Sequence, residues 1–452
     1  MALKQMDALA ALREAAGEVI ETSLCDVQGN WLALVNAEEG KRLAFAANGE
    51  AALSALWKDV EKEADVKDVH VSVMALNANN AALVRRYVKW TAPTACGTKG
   101  ASIGFSDWLG EADAVVAELF GKRQLKPVLV DFTTEDSEAL QRYFVQAVDT
   151  ATWGVLEEGY KEGYGANAAG LKTEEEIVKA LLYGYSMIGF DCSDKIDLGI
   201  EKLSDEAVDK RFEQFNETFR AALHASYLNA EFKVGTSKIT FTENQLHRIV
   251  LEYGEAIMHI QFIYNSYLKN TPWDIDFELD LSKPGKVLTP QEHYLIGNEL
   301  QRNGIKLSSI CLDPLKDSEA VNDNLQLHCE IADTFGYRLS FKNADIAMND
   351  TAAAMKYLKG KVHFKMNNIL WMSAIELVKA LDADLFGKLC AACGCEATAD
   401  AADRALVLGY RKALNPKEES NVAADMKAFL EAHHAEYAAA IKENVAAKLK
   451  NI

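Results

Sequence analysis

One junction recurs along this chain and constrains its fold more than any other feature: a helix end, a glycine, a short apolar run, then a charged residue. It occurs in "LQRNGIKLSSICLDP" with Gly304 and Asp313, in "ADTFGYRLSFKNAD" with Gly336 and Lys342, and in "KYLKGKVHFKMNN" with Gly360 and Lys365. "LYGYSMIGFDCSDK" repeats it with Gly184 and Asp191, and "FGKRQLKPVLVDFTTED" with Gly121 and Asp131. "WDIDFELDLSK" supplies a further strand that finishes near Asp280 and Lys283. Glycine directly after a helix adopts the left-handed cap that lets the chain turn back into a strand. Helices alternating with short strands imply a parallel sheet. Six such strands, with room for more at residues 97–105, predict an α/β fold, a closed (β/α)8 TIM-like barrel.

The charges locate the working end of that barrel. Asp131, Asp191, Asp280, Asp313, Lys342 and Lys365 all fall at or just beyond the carboxyl end of a predicted strand. In a barrel those ends converge on one mouth, where active sites form. Polar loops explain one or two such residues. They explain less well why Asp or Lys recurs where Ser, Asn or Gly would serve.

Three segments are expected: an α/β subdomain at 1–94, the barrel at 95–395 and a helical extension at 396–452. In the first, "EVIETSLCDV", "WLALVNA", "RLAFAA" and "VHVSVMAL" read as strands, with helices at about Glu50–Glu63 and over "ANNAALVRRYV". The net charge of -19 argues against a nucleic-acid groove, which needs clustered Lys and Arg. The amino terminus lacks the apolar core of a signal peptide, and no apolar run of about 18 residues is present to span a membrane. Eight scattered cysteines fit a reducing, cytoplasmic setting better than a disulfide framework. "CAACGCE", with Cys390, Cys393 and Cys395, is open to two readings, a partial metal site or a helix end rich in small residues.

The run "DTATWGVLEEGYKEGYGANAAG", Asp149 to Gly170, spends glycine in a way that a surface helix would not. Gly154, Gly159 and Gly163 are expected to let a helix pass close to its neighbours and then break. Trp153, Tyr160 and Tyr164 are expected to pack, and Gly163 and Gly165 to free a loop before a helix capped by Thr173 and Glu176. This run closely resembles a segment of the bacterial tagaturonate epimerases. The likeness continues through "FDCSDK", "AIMHIQFIY", "DFELDL", "PQEHYLIGNELQRNGIKL", "LHCEIADTFGYRLS" and "VHFK", covering roughly residues 95–390. The resemblance implies a barrel, a divalent metal such as zinc, manganese or nickel, and inversion at one hydroxyl-bearing carbon of a keto sugar acid.

Several positions depart from the family pattern. Its His-Ser-Gly stretch becomes Lys342-Asn343-Ala344, its Ser-Asp-His becomes Ser193-Asp194-Lys195, and an Asp-His pair becomes Ala169-Gly170. Lys283 stands where acidic residues are expected, and Asp131-Phe132-Thr133 replaces a glutamine-rich strand end. Asp191, Asp194, His259, His328, His363 and Lys365 remain.

The residues expected to carry catalysis are therefore Asp131, Asp191, Lys342 and Lys365. Lys283, Lys195, Asp194, His363 and Asp280 are expected to bind substrate. His328 is the one expected metal ligand, in a site left incomplete because ammonium groups repel a cation. His363 and Lys365 share one strand face and are expected to reach the mouth together. Mutual crowding of Lys342, Lys283 and Lys365 would lower a lysine pKa and permit Schiff-base chemistry. "CGTKGASIG", from Cys96 to Gly104, could cradle an anion or be a plain barrel loop. The expected partner is a small sugar or sugar acid, and a homo-oligomer is compatible with the reading. The rival function is a non-catalytic sugar- or anion-binding relative, since a fold does not dictate an activity.

Overall fold

The computed structural model describes residues 2–38, 40–48, 54–121, 125–281, 288–348, 351–450 and 452, without the side chains of 315–322 and 351. The first element is the helix Gln5–Ala16. Five antiparallel strands form a sheet in the order β1-β2-β3-β5-β4: β1 Glu18–Val27, β2 Asn30–Ala37, β3 Gly40–Asn48, β4 Val60–Val66 and β5 Val69–Met74. Alternation sends Ala33 and Val35 to the face under the first helix, and Leu32 and Leu34 to the face under the helix Ala78–Tyr87. The described part of the expected helix at Glu50–Glu63 is instead a short 3-10 turn, Ser54–Leu56, followed by strand β4. Its "VEKEADV" places Glu61, Glu63 and Asp65 at alternate positions, a strand period, and these exposed acids suit an edge strand that must not pair further.

Eight parallel strands close the barrel in the order β12-β13-β14-β15-β6-β7-β8-β9. They are β6 Ser102–Phe105, β7 Lys126–Thr133, β8 Gly165–Leu171, β9 Met187–Asp191, β12 Asp276–Asp280, β13 Ser309–Leu312, β14 Arg338–Phe341 and β15 Val362–Met366. β9 and β12 pair from Asp276↔Met187 to Asp280↔Asp191, which closes the ring. Between them an insertion carries the helices Asp205–Phe212 and Glu217–Tyr227 and a hairpin, β10 Phe232–Val234 with β11 Ser237–Ile239. The 21-residue helix Glu243–Ile263 follows.

The loop expected around Gly163 and Gly165 is in part barrel strand β8, "GANAAGL". It is built of small residues because its neighbours crowd it: a Cβ on Gly165 would stand 2.8 Å from Val128 Cγ2. The glycines before it do what the sequence requires of them. A Cβ on Gly154 would lie 2.7 Å from the backbone N of Ala114, so glycine lets two helices touch. Gly159 ends the helix Phe144–Glu158 at φ 62°, against the carbonyl of Thr22 in the amino-terminal sheet. Trp153 and Leu156 pack into the core under that sheet, and Tyr164, fully buried, donates its hydroxyl hydrogen to the Thr91 carbonyl at 2.8 Å.

Beyond the barrel the helix Ala383–Cys393 ends on Gly394 at φ 77°, and the Cys395 thiol lies against the Cys390 carbonyl, so this segment is a helix end. The helix His434–Leu449 packs along Ile369–Leu381 and Asp113–Phe120, with Lys442 paired to Glu118 at 2.6 Å. Among the described residues no helix is long and apolar enough to cross a membrane.

Candidate active site in the barrel interior

The interior of a TIM barrel is usually filled by layers of branched apolar side chains. Here it is charged. Along β12, "DFELD", Phe277 and Leu279 turn outward into the helix-facing core, and Asp276, Glu278 and Asp280 turn inward. β14 and its continuation present Arg338, Ser340 and Lys342, and β15 with its continuation presents His363, Lys365 and Asn367. The charges therefore stack in three levels.

At the base, Asp276 accepts hydrogen bonds from the backbone N–H groups of Cys96 (2.6 Å) and Gly97 (3.0 Å), and the Arg338 guanidinium stands 4.0 Å away. The "CGTKGASIG" loop thus spends two amides on the protein's own carboxylate, at the amino end of the strands and opposite the mouth. A cavity of about 440 Å³ on that face is lined by Lys99, Lys126, Tyr160 and Arg338 among others. Arg338 also donates to Ser102 Oγ (2.7 Å), which meets His363 Nδ1 at 2.9 Å. His363 is fully buried, and burial, with Lys365 and Arg338 nearby, lowers its pKa to about 3, so the ring is neutral. Neither it nor Lys365 reaches the rim where the pair was expected. Two residues along a strand rise about 6.6 Å, which leaves His363 a full level lower.

At the middle level Lys365 Nζ donates to Glu278 Oε1 (2.5 Å) and lies 3.7 Å from Asp131 Oδ1, all three side chains being 1–2% exposed. Glu278 Oε2 accepts from Ser309 Oγ (2.9 Å), while Asp131 accepts from Asn167 Nδ2 (2.9 Å) and Asn367 Nδ2 (3.3 Å). Burial opposes charge on Lys365, but Asp131 and Glu278 outweigh it and hold the ammonium well above the usual lysine range. Burial raises the Glu278 pKa and the Lys365 ammonium lowers it, with a net shift down. For Asp131 burial wins over Lys365, and its pKa is raised. Two neighbouring acids are thus pushed in opposite directions.

At the rim Lys342 is ion-paired and hydrogen-bonded to Asp280, with its side chain 24% exposed. Burial works against its charge too, and Asp280 again prevails, raising its pKa. The expected lowering of a lysine pKa by mutual crowding is therefore reversed for Lys342 and Lys365: Asp280 pairs with the first, and Glu278 and Asp131 with the second. Lys283 lies outside the described residues. Asp191, level with Asp280 in the register, accepts from Ser193 N (2.8 Å) and has Lys172 Nζ at 3.6 Å. Exposure falls from Lys342 and Asp191 at the rim to Lys365 beneath, so among the described residues Lys342, Asp280 and Asp191 lie nearest the mouth.

Three residues named from the sequence stand apart from this interior. Asp194 bonds Lys172 (3.0 Å) on the outer rim, 69% exposed, and Lys195 pairs with Glu255 (2.9 Å) at the surface. His328 lies between helices. Its Nδ1 meets His293 Nδ1 at 2.9 Å, and His293 Nε2 meets the Tyr337 hydroxyl at 2.8 Å. Burial lowers the His328 pKa to about 4, and His293 falls well below the usual range from burial and from His328. Its apolar helix face, with Leu325 and Ala332, turns into the helix-packed core. The site in turn contains residues not singled out from the sequence: Glu278, Asn167, Asn367 and Lys172. Glu278 was detectable, since acids at three alternate positions of one strand must share a face. Asn167 was hidden by the unrecognised strand β8.

The family model for tagaturonate epimerase matches residues 20–436. A tagaturonate/fructuronate epimerase of Thermotoga maritima is 27% identical over 383 residues, covering 82% of this chain and 78% of that protein. Crystal structures of the fructuronate-tagaturonate epimerase of Cohnella laeviribosi cover 99% of both chains: the native form at 25% identity and TM-score 0.84, a form with one glycerol at 24% and 0.86.

Proposed function

This chain belongs to the tagaturonate epimerase family, and from that premise we propose that it interconverts tagaturonate and fructuronate at the charged mouth of its barrel. The observation that carries the reading is the lysine–acid pairing at two depths: Lys342 with Asp280 at the rim, and Lys365 between Glu278 and Asp131 beneath.

Among the described residues, the donor set of the mouth does not fit the divalent ion that the family resemblance implies. Asp280 is engaged by Lys342, Asp191 has Lys172 beside it, and Glu278 and Asp131 share Lys365. An ammonium stands against each of these carboxylates, where a cation would have to bind. Ala169-Gly170 and Lys342-Asn343 offer no imidazole in place of the family's histidines. The chemistry is therefore assigned to side chains.

The inverted carbon lies two positions from the ketone, out of reach of simple α-proton removal. An array of carboxylates and ammonium groups suits retro-aldol cleavage and re-addition. Asp280 or Asp191 takes the proton of the hydroxyl on the carbon to be inverted. The bond from that carbon to the one beside the ketone breaks, and its electron pair passes to the ketone oxygen as an enediolate. The Lys342 ammonium stabilises that oxyanion as charge develops. The aldehyde fragment turns its other face, the enediolate re-adds, and the acid returns the proton to the new alkoxide. Beneath, Lys365 holds Glu278 and Asp131 together as the floor of the site. Lys172, beside Asp191, is placed to meet the substrate carboxylate.

Incubation of the purified protein with tagaturonate, followed by proton NMR, should show fructuronate accumulating, and Lys342→Ala should suppress it. Tight binding of either hexuronate without turnover would instead make the chain a sugar-acid-binding relative.

A further inference from the structure

We propose that His224, Glu243 and His247 form a divalent metal site of the zinc class on the insertion, separate from the reaction centre. Glu243 and His247 sit four residues apart on the first turns of the helix Glu243–Ile263, which places both on one face. His224 comes from the last turn of the helix Glu217–Tyr227. Its Nε2 stands 2.9 Å from His247 Nε2 and 4.0 Å from Glu243 Oε1, and one atom from each residue lies within 4.8 Å of the others. Two nitrogens on a tetrahedral ion at 2.0–2.1 Å stand about 3.3 Å apart, so the rings need part only by a few tenths of an ångström.

Two further observations point to a ligand site instead of a chance cluster. His247 is 5% exposed, and its Nδ1 meets Asp209 Oδ1 at 2.7 Å. A carboxylate accepting from Nδ1–H fixes the tautomer that turns the Nε2 lone pair toward His224 Nε2, whose proton it accepts here and whose place an ion would take, the arrangement that orients metal-bound imidazoles. Phe212 stacks on the His247 ring at 3.8 Å and lies nearly parallel to His224, centroids 5.5 Å apart, so both rings are held by an apolar wall. Two imidazoles and one carboxylate match zinc, with a water completing the tetrahedron.

The position assigns the role. His259 of the same long helix packs on Phe190, the penultimate residue of β9, with ring centroids 5.4 Å apart. His247 lies twelve residues nearer the helix amino end, about 18 Å along the axis. The ion would tie the helices of the insertion together beyond the barrel rim, without touching the substrate.

The test uses the full-length chain, stripped with chelator and titrated with Co²⁺ as a spectroscopic probe. One equivalent should bind with the intense visible absorption of tetrahedral Co²⁺ and be displaced by Zn²⁺. His224→Gln and Glu243→Gln, both at partly or fully exposed positions and checked for folding by circular dichroism, should each weaken binding at least tenfold. Absence of stoichiometric binding in the parent chain overturns the proposal, as does tetrahedral Co²⁺ that survives both substitutions.

Discussion

Replacing Lys365 by Met removes one ammonium from between two carboxylates that are each 1% exposed. Methionine keeps most of the volume, so the change is chiefly electrostatic. Breaking a buried pair by removing one partner costs about 3–5 kcal/mol, because the remaining charge has neither water nor a counter-ion. The pH dependence identifies the cause. Glu278 has a folded pKa below its unfolded value, so it contributes stability above the unfolded value of 4.5 that is lost as pH falls through the folded one. Lys365 has a folded pKa above its unfolded value of 10.5, so its contribution is complete below that and lost as pH rises further. Between about pH 5 and 10 the parent chain keeps both. In the variant Lys365 no longer lowers either acid, and burial raises both. The penalty should be largest at pH 8 and shrink toward pH 5, as the acids take up protons. Denaturant unfolding at several pH values measures this. Adding Glu278→Gln to the variant should recover much of the loss, since the stranded charge is gone. A loss below about 1 kcal/mol at pH 8, or one that grows toward pH 5, would refute the assignment of Lys365 as counter-ion to this pair.

Lys342→Ala, at a partly exposed rim position, should lower kcat/KM on tagaturonate by about 10²–10³-fold, as removal of an oxyanion-stabilising group does, and lower the melting temperature less than Lys365→Met, because water reaches the rim pair. His328 has its folded pKa depressed from 6.5 to about 4, so the folded chain loses stability as pH falls from 6.5 toward 4, while the unfolded chain takes up the proton first. Melting curves of His328→Gln across that window should show a shallower acid slope than the parent. Gly154→Ala places a Cβ against backbone 2.7 Å away and should cost about 1–3 kcal/mol in denaturant unfolding, despite the better helix propensity of alanine.

The barrel was legible wherever a strand was apolar and preceded by a glycine cap, because "SICL", "RLSF" and "VHFKM" carry both signals. It was not legible at β8, where "GANAAGL" has no β-branched or aromatic residue to mark a strand and close packing against Val128 selects glycine instead. The edge strand β4 reads as helix because its charges resemble a solvated helix face; the acids Glu61, Glu63 and Asp65 at alternate positions are what mark a strand. For the site, strand-end position pointed to Asp131, Asp191, Asp280 and Lys342, and these residues line the barrel interior and its mouth. Depth was not visible: a count of residues along a strand does not say which level of the barrel faces solvent, and so His363 was placed too high. Nor does the chain order of three lysines show the acid opposite each one. That partner decides the direction of the pKa shift, and for Lys342 and Lys365 it is Asp280 and Glu278.

The most direct measurement is epimerisation by chelator-washed protein in D₂O, followed by proton NMR. Ammonium and carboxylate chemistry at the mouth predicts that tagaturonate and fructuronate interconvert at an undiminished rate after chelation, with no deuterium at the inverted carbon, because its C–H bond never breaks. Turnover that disappears on chelation and returns with added divalent ion, or deuterium appearing at that carbon, would contradict it.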